Sequence, residues 1–144
     1  MDRIDRLLAV YGNGEDGSAP SRAQWSNLLD QQADNNITLV NFFKMRDQAA
    51  YGDVDETAAT GEEAFARYAE VSVPTVERVG GRFLLLGPCE GTLFGAEEDW
   101  DLIAVGTYPS LHALMALMED EDYQQACRHR SAALARQKVF ICPV

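Results

Sequence analysis

Lysine is scarce in this chain of 144 residues, and acidic residues outnumber basic ones. Lys44 and Lys138 are the only lysines, and 23 Asp and Glu against 12 Lys and Arg give a formal net charge of -11. Nucleic acids and anionic membrane surfaces are bound through clustered Lys and Arg. The composition therefore argues against both kinds of partner.

Long apolar runs are also missing. No stretch approaches the roughly 20 apolar residues of a membrane-spanning helix. The start of the chain, residues 1–6, carries acids instead of the basic and then apolar pattern of a signal peptide. We therefore expect a protein without a membrane span, located in the cytoplasm, and the chain length fits one domain with its own core.

Cysteine and histidine are too few and too scattered to suggest a familiar reactive centre. Cys89, Cys127 and Cys142 form no Cys-x-x-Cys pair, which indicates reduced and mostly buried thiols. His112 and His129 have no second ligand at helical spacing, so neither a metal nor a cofactor is predicted. A haem would need one of them to point into a pocket. A Ser-His-Asp triad stays open, although the chain has no Gly-x-Ser-x-Gly elbow.

The chain begins with a short helix and a glycine-rich linker. Ile4, Leu7, Leu8 and Tyr11 repeat at helical spacing, and Gly12 ends the helix. Residues 12–17 match Gly-x-Gly-x-x-Gly, but they follow a helix and contain two acids that would repel a phosphate. We interpret them as a flexible linker and not as a dinucleotide loop.

A second helix is predicted from Ser21 to Gln32, with Ser21 as its N-cap. The two helices are too small to form a core of their own. We therefore predict that residues 1–35 are a helical extension of a main domain over residues 36–144. The apolar stripe of the second helix consists of Trp25, Leu28 and Leu29.

The main domain alternates strands with helices. A helix from residue 61 to about residue 80 follows a loop over 47–60, and Pro74 should kink or break that helix. A second helical stretch has two segments, capped by Ser110 and Asp120; we interpret the acids at 119–122 as a helix start and not as an acid/base pair. Strands are predicted over residues 37–46, 82–87 with a resumption at 91–93, 100–107 and 138–144.

The resulting order, β-α-β-β-α-β, is the ferredoxin-like α+β plan. It predicts an antiparallel sheet with the first and last strands paired at its centre and both main helices on one face. The first and third strands are apolar on both sides, and an uncovered apolar face would be a large exposed patch. A twofold dimer that stacks two sheets would bury this face, and the N-terminal helices are the competing cover.

One arginine falls on the apolar stripe of a helix. Tyr123, Ala126, Cys127, Arg130 and Leu134 repeat at helical spacing, which places Arg130 on one face with Tyr123. A charge in such a position needs a partner. Pairing with an acid or a helix-end carbonyl inside the fold is the first interpretation. Bidentate binding of a ligand carboxylate is the second.

Three further residues are candidates for the same pocket. Asn41 lies among apolar residues of the first strand. Because a buried amide needs hydrogen-bond partners, Asn41 is either a hydrogen-bonded residue of the core or interface, or a ligand contact. Tyr108 ends the third strand. His129 follows on the helix but projects about 100° away from Arg130, which allows it to lie outside the site.

Several short motifs occur in order over about Asn36 to Val144: Asp47 with Tyr51, Ala64-Phe65-Ala66-Arg67-Tyr68, Gly80-Gly81-Arg82-Phe83, Trp100, Tyr108-Pro109-Ser110, and Asp122-Tyr123 with Arg130 seven residues after the tyrosine. Together they resemble a known family. The family is domain-of-unknown-function family thirteen-thirty, in the dimeric α+β barrel superfamily. The resemblance implies a ferredoxin-like fold, a homodimer and no known reaction; other proteins with this barrel include cofactor-free oxygenases, isomerases and haem-binding enzymes.

The chain departs from the family at two places. Phe94-Gly95 stands where the family usually has Glu-Gly, and the N-terminal helices lie outside the usual domain. Two functions therefore stay open. One is a pocket for a small, carboxylate-bearing molecule in a dimeric α+β barrel, enzymatic or not. The other is a non-catalytic dimeric module that binds a partner or metabolite. A cavity beside Arg130 would favour the first, and a sealed interior the second.

Overall fold

The computed structural model describes residues 1–52 and 59–143. Residues 53–58, inside the predicted loop over 47–60, and Val144, the end of the predicted last strand, lie outside the described residues. The described helices are α1 (Arg3–Tyr11), α2 (Arg22–Leu29), α3 (Gly61–Arg78), α4 (Leu111–Met118) and α5 (Glu121–Ala133). The strands are β1 (Ile37–Met45), β2 (Arg82–Pro88), β3 (Leu102–Tyr108) and β4 (Leu134–Pro143).

The four strands form one antiparallel sheet, which confirms the predicted α+β class. Their order is β2-β3-β1-β4. The pairing of the first strand with the last is present, but the prediction that both are central was wrong. β3 pairs with the other side of β1, from Ile37 opposite Tyr108 to Phe43 opposite Leu102, so β4 forms an edge of the sheet.

Helix α3 runs without interruption past Pro74, contrary to the predicted kink or break. The helix starts with a capping box in which Thr60 and Glu63 exchange hydrogen bonds. One turn before its end, the Thr75 hydroxyl donates to the Val71 carbonyl at 2.7 Å. The stabilisation from the N-terminal cap and from the packing of α3 along α5 exceeds the cost of the one backbone hydrogen bond that proline cannot donate.

Two strand boundaries also differ from the predictions. Residues 91–93 are not a strand, since β2 ends at Pro88. Strand β4 begins at Leu134, four residues before the predicted start, because helix α5 passes directly into the strand. Leu134 ends the helix, pairs with Met45 and is buried, so its apolar character fits either element.

The sheet packs its inner face on the helices. Ile37 from this face belongs to one core cluster with Leu114 of α4 and with Leu7 and Trp25 of the N-terminal helices. The N-terminal helices therefore lie on the helical side, and the prediction that they compete for the other face was wrong. On that outer face Leu85 is 52% exposed and Phe140 is 49% exposed.

Within residues 1–52 and 59–143, every helix is too short or too polar to cross a membrane.

Candidate functional site

A cavity of about 990 Å³ lies between the inner face of the sheet and the helices. Its wall includes residues from the segment that joins α1 to α2, from α3 and α5, and from all four strands. Four of the five predicted site residues line it together: Arg130, Tyr123, Asn41 and Tyr108. The structure thus brings these side chains, predicted from three separate elements, to one cavity.

Arg130 lies in the last turn of α5 and reaches across to β4. Its Nε and Nη2 both donate to Oε1 of Gln137, at 3.2 and 2.7 Å. Its Nη1 donates to the Tyr68 hydroxyl at 3.1 Å. The guanidinium carbon also lies 5.0 Å from the ring centre of Phe43 and 5.5 Å from that of Tyr68, within the range of cation–π attraction.

The partners of the Arg130 guanidinium are uncharged. Among residues 1–52 and 59–143, no carboxylate forms a salt bridge with it, so the first interpretation of Arg130 finds no acid partner there. Burial opposes the charge, but the nearby Tyr68, Tyr123 and Cys127 favour it more strongly, and the pKa of Arg130 is raised. The side chain is therefore a half-buried permanent cation on the cavity wall.

Two tyrosines continue the network away from Arg130. The Tyr68 and Tyr123 hydroxyl oxygens lie 2.8 Å apart, and the two rings meet edge to face. Burial raises the pKa of Tyr123 well above its ordinary value, so its hydroxyl stays protonated at neutral pH. Tyr123 and Arg130 were predicted to share one helix face. In the structure they are connected through the hydroxyl of Tyr68 of α3, which bonds to both.

Tyr68 and Gln137 are the residues that the sequence did not assign to the site. In the sequence, Tyr68 was recognised only as the last residue of the motif Ala64-Phe65-Ala66-Arg67-Tyr68. Gln137 was placed before the last strand, although it belongs to β4 and faces the same side as Val139. The alternation of side chains along residues 137–141, in which Gln137, Val139 and Ile141 share one face, is the signal that would have pointed Gln137 inward.

Tyr108 and Asn41 contact neighbouring backbone in the cavity wall, Tyr108 beside Gly81 and Asn41 at the Ala104 carbonyl. A Cβ at Gly81 would lie 2.9 Å from the Tyr108 ring, so glycine at that position allows the ring its place. The Tyr108 hydroxyl makes no hydrogen bond within the described parts of the chain, and burial raises its pKa. Asn41 donates through Nδ2 to the Ala104 carbonyl at 3.0 Å and, less directly, to Leu39.

His129 lies outside the cavity. Its Nδ1 is 2.7 Å from the Tyr51 hydroxyl, which also accepts from Arg67, in a shallow groove between α3 and α5. His112 is exposed on α4. Neither histidine therefore meets the condition for an axial haem ligand in the cavity. Among the described residues, no three His, Cys, Asp or Glu side chains are grouped to hold a metal ion.

Cys127 contributes a thiol to the cavity wall. It is half-buried, and burial raises its pKa, which keeps the thiol protonated and poorly nucleophilic. Cys89 and Cys142 are also free thiols.

The chain is similar to known proteins in sequence and in structure. The family described as "Domain of unknown function (DUF1330)" matches residues 49–143. No curated protein matches the chain. Methylated RPA0582 protein is 30% identical, with a TM-score of 0.80 over 87% of this chain and 92% of the other. A second structure of RPA0582, a protein of unknown function from Rhodopseudomonas palustris, is also 30% identical. Its TM-score is 0.79 over 87% of this chain and 94% of the other. A dimeric protein of unknown function and ferredoxin-like fold from Bacteroides fragilis is 11% identical, with a TM-score of 0.45 over 78% of this chain and 100% of the other.

Proposed function

The chain belongs to the DUF1330 family of domains of unknown function, and we propose that it binds a small carboxylate-bearing molecule in the cavity beside Arg130. The observation that carries this proposal is a half-buried guanidinium on the cavity wall with only uncharged partners among the described residues. A ligand carboxylate would supply the missing countercharge and two acceptor oxygens in the geometry that arginine prefers.

The cavity favours a binding function over a purely structural module. A volume of about 990 Å³ is in the upper part of the range typical of ligand sites, roughly 300–1,000 Å³. Tyr108 adds a hydroxyl donor without a partner in the described residues, and Asn41 adds an amide oxygen with none there. These groups can orient the part of a ligand that lies away from Arg130.

The test is a thermal-melting screen of a carboxylate library against wild type, Arg130→Ala and Arg136→Ala. Arg136 is the matched control, since it is an exposed arginine stacked on Trp100 outside the cavity. We expect hits to raise the Tm of wild type and of Arg136→Ala and to leave that of Arg130→Ala unchanged. Equal shifts in wild type and Arg130→Ala would remove the arginine from the proposed site.

We further infer that the protein is a homodimer with the outer sheet faces stacked, as in a dimeric α+β barrel. The support is the apolar character of the outer face. Phe42 of β1 packs against Phe140 of β4, with ring centres 6.1 Å apart, and against Trp100, at 5.8 Å. Ile103 and Val105 of β3 continue the surface toward the exposed Leu85 of β2.

A further inference from the structure

We propose that Gln137 holds the position on Arg130 that the ligand carboxylate takes, and that the ligand, an apolar monocarboxylic acid, binds by displacing the Gln137 side chain. This inference rests on the proposed function. It adds a specificity-determining residue and a ligand class to the site.

The geometry of the Arg130–Gln137 contact carries the first step. Nε and Nη2 lie on one edge of the guanidinium, and both donate to the single oxygen Oε1 of Gln137, at 3.2 and 2.7 Å. This edge is one that a carboxylate engages with two parallel hydrogen bonds. The neutral amide offers one acceptor where a carboxylate offers two and a full charge. A carboxylate is therefore the better partner for the same edge.

Gln137 is also easier to displace than the other partner of Arg130. It is half-buried on the edge strand β4, and its Nε2 reaches only the Ser18 carbonyl, at 3.5 Å, a long and weak contact. Tyr68, in contrast, is buried, and its ring packs on Phe65 and Tyr123 at 5.4 and 5.9 Å. A ligand thus replaces Gln137 and keeps the hydrogen bond from Nη1 to Tyr68.

The side chains around the guanidinium indicate which kind of chemical group, the ligand body, is attached to the carboxylate. The rings of Phe43 and Tyr68 lie beside the Arg130 charge, and Phe65 packs against both, at 5.1 and 5.4 Å. The group attached to the carboxylate therefore meets aromatic surface, which favours an apolar body. A second carboxylate on the same ligand would be placed against these rings, at a desolvation cost.

The experiment is calorimetric titration with phenylacetate, the neutral phenylacetamide and succinate. The proteins are wild type, Arg130→Ala, Gln137→Ala, Gln137→Glu and Gln125→Ala. Gln125 is the matched control, because it is an exposed glutamine on the same helix as Arg130 that lies in the groove between α3 and α5, outside the cavity. Gln137→Met, which keeps the length of the side chain without its amide, is the second variant if Gln137→Ala fails to fold.

We expect phenylacetate to bind Gln137→Ala about tenfold more tightly than wild type, since removing the amide ends its competition for Arg130. Gln137→Glu should lose binding, because its own carboxylate occupies the arginine. Gln125→Ala should match wild type. Phenylacetamide should fail to bind, and succinate should bind more weakly than phenylacetate.

The outcomes separate this inference from the proposed function. Unchanged or weaker binding by Gln137→Ala, together with binding that depends on Arg130, overturns the role of Gln137 and leaves the proposed function standing. Tighter binding of succinate than of phenylacetate overturns the apolar ligand class alone. Equal phenylacetate affinity in wild type and Arg130→Ala, or no binding of either acid by any variant, overturns both.

Discussion

Tyr68 is the residue on which the polar network of the cavity depends. Its hydroxyl accepts from Arg130 and shares a second hydrogen bond with Tyr123, whose ring is buried. Loss of this one oxygen removes a hydrogen-bond partner from two groups, the Nη1 of Arg130, which keeps its bonds to Gln137 through Nε and Nη2, and the buried Tyr123 hydroxyl. Loss of the Tyr123 hydroxyl leaves Tyr68 still bound to the arginine.

We therefore predict that Tyr68→Phe destabilises the fold by about 2 kcal/mol and Tyr123→Phe by about 1 kcal/mol. The double variant should cost less than the sum, because removing both ends of one hydrogen bond leaves neither unsatisfied. Urea unfolding of the three variants measures these differences. Equal costs for the single variants with strict additivity would show that the two hydroxyls do not form one network.

At the level of residues, helical spacing could predict only half of the site. The interval from Tyr123 to Arg130 is two turns of one helix, so the sequence showed that they share a face. Tyr68 comes from α3 and Gln137 from β4, and only the packing of these elements against α5 brings them to Arg130. Helix geometry was sufficient for His129, which projects about 100° away from Arg130 and contacts Tyr51 outside the cavity.

At the level of elements, helix starts are strongly determined by local side chains. Asp120 accepts from the backbone N–H of Tyr123 at 2.8 Å and also pairs with Arg78 at 3.0 Å. The first of these contacts gives a hydrogen-bond acceptor to one of the backbone N–H groups that have no partner within the helix in the first turn of α5. That helix carries both Tyr123 and Arg130, so its first turn also supports the site.

We predict that Asp120→Ala lowers the free energy of unfolding by about 1 kcal/mol, the usual cost of an N-cap. Asp120→Asn should cost less, because asparagine is an equally good cap and loses only the partly exposed pair with Arg78. Chemical denaturation at pH 7 compares the three proteins. An asparagine variant as unstable as the alanine variant would assign the effect to the ion pair instead of the cap.

The same carboxylate gives a pH dependence with a defined sign. The hydrogen bond from Tyr123, with the help of Arg78, lowers the pKa of Asp120 in the folded protein. Its contribution is therefore complete above the unfolded value, about 3.9, and is lost as the pH falls through the lower folded value. We expect the stability difference between wild type and Asp120→Ala to shrink below about pH 4, as measured by urea unfolding from pH 7 to pH 2. A constant difference across that range would contradict this linkage.

The elements show which local signals suffice. Ser21, Ser110 and Asp120 were all predicted as N-caps, and each accepts from a backbone N–H in the first turn of its helix. Pro74 and the start of β4 were mispredicted because long-range contacts decide them. Helix α3 is held by its packing on α5, and Leu134 satisfies the helix and the strand patterns equally.

At the level of the whole molecule, the two faces of the sheet have different environments. The inner face shares one core cluster with helices α1 to α5, so the two N-terminal helices belong to the same core. The outer face has large apolar side chains in contact with solvent, and Phe140 and Leu85 stand at about half exposure on the strands at its two edges. Burial of such a face in a twofold dimer would remove apolar area from water, at roughly 25 cal/mol per Å².

A charge in the middle of the outer face should therefore dissociate the proposed dimer. We predict that Val105→Lys, on the central strand β3, changes the mass in solution from that of a dimer to that of a monomer, as measured by light scattering after size exclusion. A lysine of each protomer buried in the stacked sheets would carry uncompensated charge, which costs far more than the lost apolar contact. Leu93→Lys is the control, since Leu93 is 90% exposed on the connection from β2 to β3, outside the sheet. The control should keep the dimer mass. A monomeric wild type, or dissociation by Leu93→Lys but not by Val105→Lys, would rule out the stacked sheets as the interface.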